Sequence, residues 1–351
     1  MNSLLADKTP LIRHSKLRWG ILGTGKIARR FATALSKSAS GELIGVASRS
    51  KEPAVAFAAE FGAPHAHADY TSLLKNPEID AVYIATPHPM HLEWSLKCVE
   101  AGKHILCEKP AGMNRAETEW MIAAARYQGV FFMEAFMYRC HPQTALLREL
   151  IRSGEIGFIR MIHATFSYYK EQYDPADRLF ARQLGGGSIL DVGCYGVSMA
   201  RLVAGETSGR RYAEPKSVRG FASLESSERT DLTAAALLEF DNGLIAMIQS
   251  GLRLQGENQV RIEGEIGSIT VSTPWAPRHG ESSIRILHHQ SGKIRTIETT
   301  FPEEDLFGYE IDEVARAIQA GEKQSPAMDW EDSLGNASVL DAWLAEAGVT
   351  Y

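Results

Sequence analysis

Much that would mark a secreted, membrane-bound or nucleic-acid-binding protein is missing from this chain. Cysteine is scarce, with four in 351 residues. They stand apart at Cys98, Cys107, Cys140 and Cys194, with no CxxC pair. That spacing excludes the dense disulfide framework of a small secreted domain and predicts reduced, mostly buried thiols. No run approaches the roughly 18 apolar residues of a spanning helix. The start, MNSLLADKTPLIRHSKLRW, holds no apolar core long enough for a signal peptide, so a cytoplasmic protein without membrane contact is expected. A basic excess is missing too. Lys and Arg number 37 against 43 Asp and Glu, a net charge of -6, which argues against a nucleic-acid partner. Internal repeats and low-complexity tracts are absent from the sequence.

What is present suits a soluble globular protein. The length matches about two domains, and 44% hydrophobic with 23% charged residues is an ordinary balance. From Leu17, short apolar runs alternate with helical spacings. KLRWGILGTG, GELIGVASRS, DAVYIATP, KHILCEKP and GVFFMEAFM read as strands. Helices are predicted over Lys26 to Ser36, Glu52 to Phe61, His91 to Ala101 and Arg115 to Gln128. Such alternation predicts βαβ units and a parallel sheet, an α/β domain that, if doubly wound, turns its strands' carboxyl ends to one crevice. After about Arg152 the pattern becomes strands with few helices: FIRMIHATFSYY, SVRGFASL, TDLTAAALLEF, GLIAMIQSG, NQVRIEGE and GSITVS. The Asn242-Gly243 pair signals a hairpin, since both residue types accept the positive φ of a tight turn. One helix is expected from Gly193 to Ala204. The division predicted is an extension over 1–16, an α/β domain over 17–138, a mostly antiparallel open-sheet α+β domain over 139–308, and helices over 309–351 that pack back towards the first domain.

The stretch Gly23-Thr24-Gly25-Lys26-Ile27-Ala28 contains Gly-x-Gly-x-x-Ala. The first glycine permits a tight turn, the second lets backbone approach a pyrophosphate, and the small third residue lets helix and strand pack. A plain glycine turn would give the same letters, but here they follow a strand and open a helix. An acidic residue at the end of the second strand commonly holds the ribose 2′-hydroxyl of NAD. This chain has Ser48-Arg49-Ser50 instead. Arg49 can pair with a 2′-phosphate or stack on adenine, so NADP is preferred with NAD possible. The bland alternative is an exposed arginine on a solvated loop. Carboxyl ends of parallel strands face the cofactor crevice, which draws in Thr86, Pro87, Glu108, Lys109 and Glu134. A lysine there can bond a substrate hydroxyl and assist its proton loss. Its commoner fate is to snorkel from a strand end.

The glycine fingerprint, ATPHPMH (Ala85 to His91), EKP (Glu108 to Pro110) and GGGSILDVGCY (Gly185 to Tyr195) stand in the order found in the Gfo/Idh/MocA oxidoreductases. The chain resembles that family from about Leu17 onward. The resemblance implies a Rossmann domain followed by a large open sheet that often forms a dimer interface, hence a homodimer or dimer of dimers. It implies that Lys109 is the catalytic lysine and that Glu108 lies by the nicotinamide ribose. Many members carry Asp-x-Gly-x-His where this chain has Asp191-Val192-Gly193-Cys194-Tyr195. Tyrosine in place of histidine, with EAFMYRCHPQ (Glu134 to Gln143) and Arg178 to Phe180, resembles the branch holding glucose–fructose oxidoreductase, dihydrodiol dehydrogenase and NADP-dependent D-xylose dehydrogenase. In that light Tyr195 is an acid or base, Asp191 orients Lys109 or the substrate, and Arg178 belongs beside the cofactor; His91 is read as stabilising the loop beside that cofactor. A core tyrosine bonded through its hydroxyl is the competing reading of Tyr195. Arg139 and His141 either reach ligand or order the domain junction.

Paired histidines (His65 with His67, His88 with His91, His288 with His289) invite a zinc reading, but no carboxylate or cysteine completes a catalytic set, and no metal is expected. The function read from the sequence is hydride transfer between NADP and a carbon of a sugar, anhydrosugar or related cyclic polyol. Redox-assisted cleavage of a glycoside and a non-catalytic dinucleotide-binding regulator are the alternatives.

Overall fold

A computed structural model describes residues 15–278, 281–299 and 306–351. Apart from Ser15 and Lys16, the extension expected over 1–16 lies outside them. The described residues form two compact units. One runs to Met137 and includes Leu306 to Ser333; the other runs from Tyr138 to Thr299 and includes Leu334 to Tyr351.

The first unit alternates strand and helix. Its elements are β1 (Leu17–Leu22), α1 (Lys26–Leu35), β2 (Gly41–Ala47), α2 (Lys51–Phe61), β3 (His65–His67), α3 (Tyr70–Leu74), β4 (Ala81–Ile84), α4 (His91–Glu100), β5 (His104–Glu108), α5 (Arg115–Gln128) and β6 (Phe132–Ala135). All six strands pair in parallel, in the order β3-β2-β1-β4-β5-β6. AVYI of β4 and HILCE of β5 are buried along their whole length, as strands covered by helices on both faces must be. Gly62 and Gly129 end α2 and α5 in the left-handed region, at φ 70 and 72°. β3 and α3 span three and five residues, too short to show a period, and sequence reasoning passed over them. The open edge of β6 is covered: the Phe132 N–H donates to the Lys323 carbonyl at 3.0 Å, and the Trp330 indole donates to the Phe132 carbonyl at 3.0 Å.

Helices α6 (Met137–Cys140) and α7 (Pro142–Arg152) lead into the second unit. α7 went unread although its start is well marked, with Pro142 in the first turn and the His141 ring accepting the Gln143 N–H at 3.1 Å. The rest of that unit is β7 (Ile159–Ser167), α8 (Cys194–Glu206), β8 (Ser217–Leu224), β9 (Asp231–Glu239), β10 (Ile245–Gly251), β11 (Gln259–Gly264), β12 (Gly267–Ser272), β13 (Ser283–His288) and β14 (Ile294–Glu298). Its eight strands run in the order β14-β13-β12-β11-β7-β10-β9-β8. Every neighbouring pair is antiparallel except β7 with β10. β13 alternates Ile284 and Ile286 inward, a readable pattern that sequence reasoning missed; β14 is exposed along most of its length and shows none.

The hairpin at Asn242-Gly243 forms, but not as a two-residue turn. Phe240 and Leu244 close it, Gly243 alone takes positive φ (76°), and Asn242 caps it from outside by accepting the Leu244 N–H at 3.2 Å. This is the three-residue loop with one left-handed glycine. The helix expected from Gly193 starts as a π-turn over Ile189–Gly193 and continues as α8. Helices α9 (Leu306–Gln319) and α10 (Trp330–Ala347) follow, with the Ser325–Met328 bridge between them. Among the described residues no helix is long and apolar enough to cross a membrane.

Candidate active site

Because the first sheet is parallel, the carboxyl ends of β1, β2, β4, β5 and β6 share one edge. Strand order reverses between β1 and β4, and the crevice outside such a reversal is where this architecture takes ligands. Gly23 follows β1 at φ 106°, and a Cβ there would lie 2.8 Å from the carbonyl oxygen of Ala85, which follows β4. Only glycine lets these two strand ends meet. Gly25 caps α1 with no side-chain hydrogen bond and no acidic residue in the first turn, and a Cβ on it would meet nothing within 4 Å. Unclaimed N–H groups of Lys26 and Ile27, an open space beside Gly25 and the positive helix end together fit a pyrophosphate. Thr24 is half-buried and Lys26 exposed at the same turn. A dinucleotide therefore fits the residues present.

Ser48 and Arg49 follow β2. The Ser48 N–H donates to the His67 carbonyl at 3.3 Å, and Arg49 is exposed. Arg49 reaches electrostatically to Tyr70, whose phenol burial pushes up and the arginine pulls back. After β4, Thr86 is buried, and its carbonyl lies 2.9 Å from His91 Nε2. His91 Nδ1 lies 3.0 Å from the Pro110 carbonyl. The buried ring thus ties the loop after β4, where Pro87 stands, to the turn after β5. Burial pushes this imidazole's pKa down, while the backbone carbonyls pull it back up.

At the end of β5, Glu108 accepts the Tyr83 hydroxyl, and the Lys109 N–H donates to its Oε2 at 3.3 Å. Lys109 itself is half-buried. Glu134, buried at the end of β6, accepts the Ala111 N–H at 2.9 Å, so its Oε1 holds the chain just beyond EKP. Two contributors went unread. Tyr83 looked like one more apolar strand residue. Glu310, fully buried on α9, has its carboxyl held well above the usual range by burial, with the Glu108 charge adding to it. No spacing rule links a tail helix to a strand end over 200 residues away.

In the second unit the GGGSILDVGCY segment gathers three polar groups. Asp191, buried in the π-turn, accepts the Tyr168 hydroxyl at 2.7 Å and pairs with Arg178 at 3.1 Å. Burial and the Asp191 charge push the Tyr168 phenol up, so it remains a donor. Sequence reasoning singled out Asp191 and Arg178 for different tasks and did not see Tyr168, which sits in SYYK with no motif around it. Tyr195 is buried, its ring 5.2 Å from Phe166, 5.8 Å from Trp275 and 5.9 Å from Tyr138. Trp275 is fixed in turn by donating to the Thr165 carbonyl at 2.8 Å. Arg139 donates to the Ser198 carbonyl at 3.3 Å, and Tyr138 to the Ser198 hydroxyl at 2.8 Å. Arg139 and His141, left open between ligand and structure, thus both bond within their own unit, and burial pushes His141 down to about 4.

Among the described residues, no group of three or more His, Cys, Asp or Glu is placed to hold a metal ion. His65 pairs with Glu78 at 2.6 Å, and His288 with Glu155 at 3.2 Å.

Comparison with known proteins bears on both units. Residues 17–136 match the model of an oxidoreductase family with an NAD-binding Rossmann fold, and residues 144–270 match the Gfo/Idh/MocA C-terminal domain. A trans-1,2-dihydrobenzene-1,2-diol dehydrogenase of Xenopus tropicalis is 35% identical, covering 95% of this chain and 99% of its own length. An NADP-dependent D-xylose 1-dehydrogenase of Haloferax volcanii is 32% identical over 93% of this chain and 96% of its own. Among solved structures, a 3-ketoreductase from Actinomadura kijaniata in complex with NADP superposes with a TM-score of 0.85 at 30% identity, covering 95% of this chain and 98% of that one. On these matches and the motifs that its strand ends carry, the chain belongs to the Gfo/Idh/MocA family of oxidoreductases.

Proposed function

We propose that the protein is an NADP-preferring dehydrogenase that moves hydride between the cofactor and a hydroxyl-bearing carbon of a sugar, anhydrosugar or related cyclic polyol. The observation that carries the cofactor half is the uncapped start of α1 beside Gly25, with exposed Arg49 rather than a carboxylate at the end of β2. Relatives named as acting on a cyclic diol and on xylose, and a similar ketoreductase solved with NADP, support the substrate half. Bound, the nicotinamide supplies the hydride acceptor or donor. Lys109 bonds the reacting hydroxyl oxygen and assists departure of its proton. Tyr195 is the second acid–base group, and its aromatic surround keeps water from the phenol. Asp191, set by Tyr168 and Arg178, orients the substrate. A regulator that only bound a dinucleotide would have no use for Lys109, Asp191 and Tyr195 together.

The second sheet supports an assembly proposal. Phe221 on β8, Leu237 on β9, and Ile245 and Met247 on β10 are all exposed, and Leu237 pairs directly with Met247. An apolar sheet face of this kind is not left to water, and a homodimer or dimer of dimers through it covers these side chains.

The test is a panel of aldoses, anhydrosugars, cyclic diols and glycosides with NADP and NAD, followed at the nicotinamide absorbance. Turnover of at least one carbohydrate or cyclic diol, faster with NADP, is the expected result. Tight NADP binding with no turnover of any member would return the reading to a regulator.

A further inference from the structure

We propose that Asp231 is a positioning residue for this reaction: from the start of β9 its buried carboxylate fixes the turn that presents Asp191 and Tyr195. The proposal rests on the reading of those two residues as acid–base machinery.

The geometry is local to the second unit. Asp231 is fully buried where the β8–β9 register shifts, between Ser223 and Leu224. Its Oδ2 accepts the Ser188 hydroxyl at 2.7 Å and the Ile189 N–H at 2.7 Å. The Ser250 hydroxyl of β10 stands 2.8 Å from that of Ser188. Since Ser188 spends its one proton on Asp231, Ser250 is the donor between them, and the chain runs Ser250 to Ser188 to Asp231. Oδ1 of Asp231 packs on Gly187, which is at φ 121°; a Cβ there would fall 2.2 Å from that oxygen. One residue earlier, the Gly186 carbonyl accepts the Tyr351 hydroxyl at 2.5 Å. Gly186 through Ile189 is therefore held residue by residue, and three of these four residues meet one carboxylate.

The adjoining turn makes that hold matter. Ile189 opens the π-turn Ile189–Gly193, which contains Asp191 and runs into α8 with Tyr195 in its first turn. A π-turn carries one residue more than an α-turn. Its collapse to α-geometry would rotate every later side chain by about 100° around the helix axis, taking Tyr195 out of its aromatic surround. Asp231 opposes that collapse. It binds the N–H that begins the turn and places negative charge at the positive end of the helix. Ionised carboxylate is a costly choice for a mere spacer here: burial pushes this carboxyl up to about 6, against the pull of the Ser188 and Ile189 donors.

The test compares Asp231→Ala, Asp231→Asn and Ser188→Ala with Tyr195→Phe, measuring kcat, KM, NADP affinity by fluorescence titration, and thermal unfolding. A misplacement of about 1 Å costs up to 100-fold in rate. Asp231→Ala is expected to lower kcat about 10- to 100-fold, with NADP affinity within twofold of wild type. Ser188→Ala and Asp231→Asn lose less in the same direction, and they decide the matter should Asp231→Ala fail to fold. Asp231→Ala added to Tyr195→Phe should cost little more than Tyr195→Phe alone, since one acts through the other. Folded Asp231 variants with wild-type kcat would overturn the proposal. So would rate losses no larger than the loss of folded, NADP-binding protein. Wild-type turnover by Tyr195→Phe would instead sink the underlying reading of the site.

Discussion

Arg49 stands exposed at the end of β2, where a 2′-phosphate would meet a cation instead of the carboxylate that NAD enzymes commonly place there. Arg49→Ala should weaken NADP by about 1–3 kcal/mol, the worth of a charge-assisted contact, and NAD far less. Equal losses for both cofactors, by fluorescence titration, would remove the phosphate role. Lys109→Ala separates a working lysine from one that only snorkels. Loss of an acid–base contribution of about 100- to 10,000-fold in turnover, with cofactor affinity held by the glycine turn, is the expected outcome; near wild-type turnover would leave only the fold. His104 makes a pH prediction. Burial, helped by the Lys323 charge, lowers its pKa from 6.5 to about 4, and its Nδ1 must stay unprotonated to accept the Phe131 N–H at 3.0 Å. The unfolded chain binds this proton near 6.5 and the folded one only near 4. Stability from His104 is therefore complete above about pH 6.5 and is lost as pH falls towards 4, by roughly 3 kcal/mol. A ring titration midpoint near 6.5 by nuclear magnetic resonance would contradict this.

At the scale of elements, α5 shows how much the sequence dictated. Asn114 accepts the Glu117 N–H at 2.9 Å, Glu117 returns a bond to the Met113 N–H at 2.9 Å, and Gly129 closes the far end. Asn114→Ala should cost about 1 kcal/mol of stability in urea unfolding with little change in turnover. A loss below a few tenths would mean the cap is not used. Punctuation of this kind made the first unit readable: glycines at helix ends, apolar strands, helices of ten or more residues. The second unit was less so. α7 was lost between a proline and a glycine, although its cap and first-turn proline were in plain view, and β14 carries no alternation because most of it is exposed. At the site, letters next to one another were legible and partners far apart were not. EKP and the glycine turn announce themselves. That Asp191 would meet Tyr168, Ser188 meet Asp231, or Glu310 lie near Glu108 depends on which strands become neighbours, and local pattern does not contain that.

For the whole molecule, the exposed apolar row on β8, β9 and β10 gives a direct test of assembly. Leu237→Glu should turn the proposed oligomer into a monomer by light scattering at micromolar protein, with the fold kept; a wild-type monomer at that concentration would remove the proposal. The same sheet has a consequence for how the chain comes to be folded. β7 is the earliest strand of the sheet and lies near its middle, paired with β10 on one side and β11 on the other. Its partners begin at Ile245 and Gln259, while β7 ends at Ser167. Roughly 80 residues must leave the ribosome before either edge of β7 can be covered, about 4–16 s at ~5–20 residues per second. For that interval IRMIHATFS is an apolar strand with two open edges, while the sheet before it already has all of β1 to β6. Premature pairing of β7 with another chain is the hazard peculiar to this order of synthesis, and its exposed Arg160 is a charge standing guard on the unfinished edge.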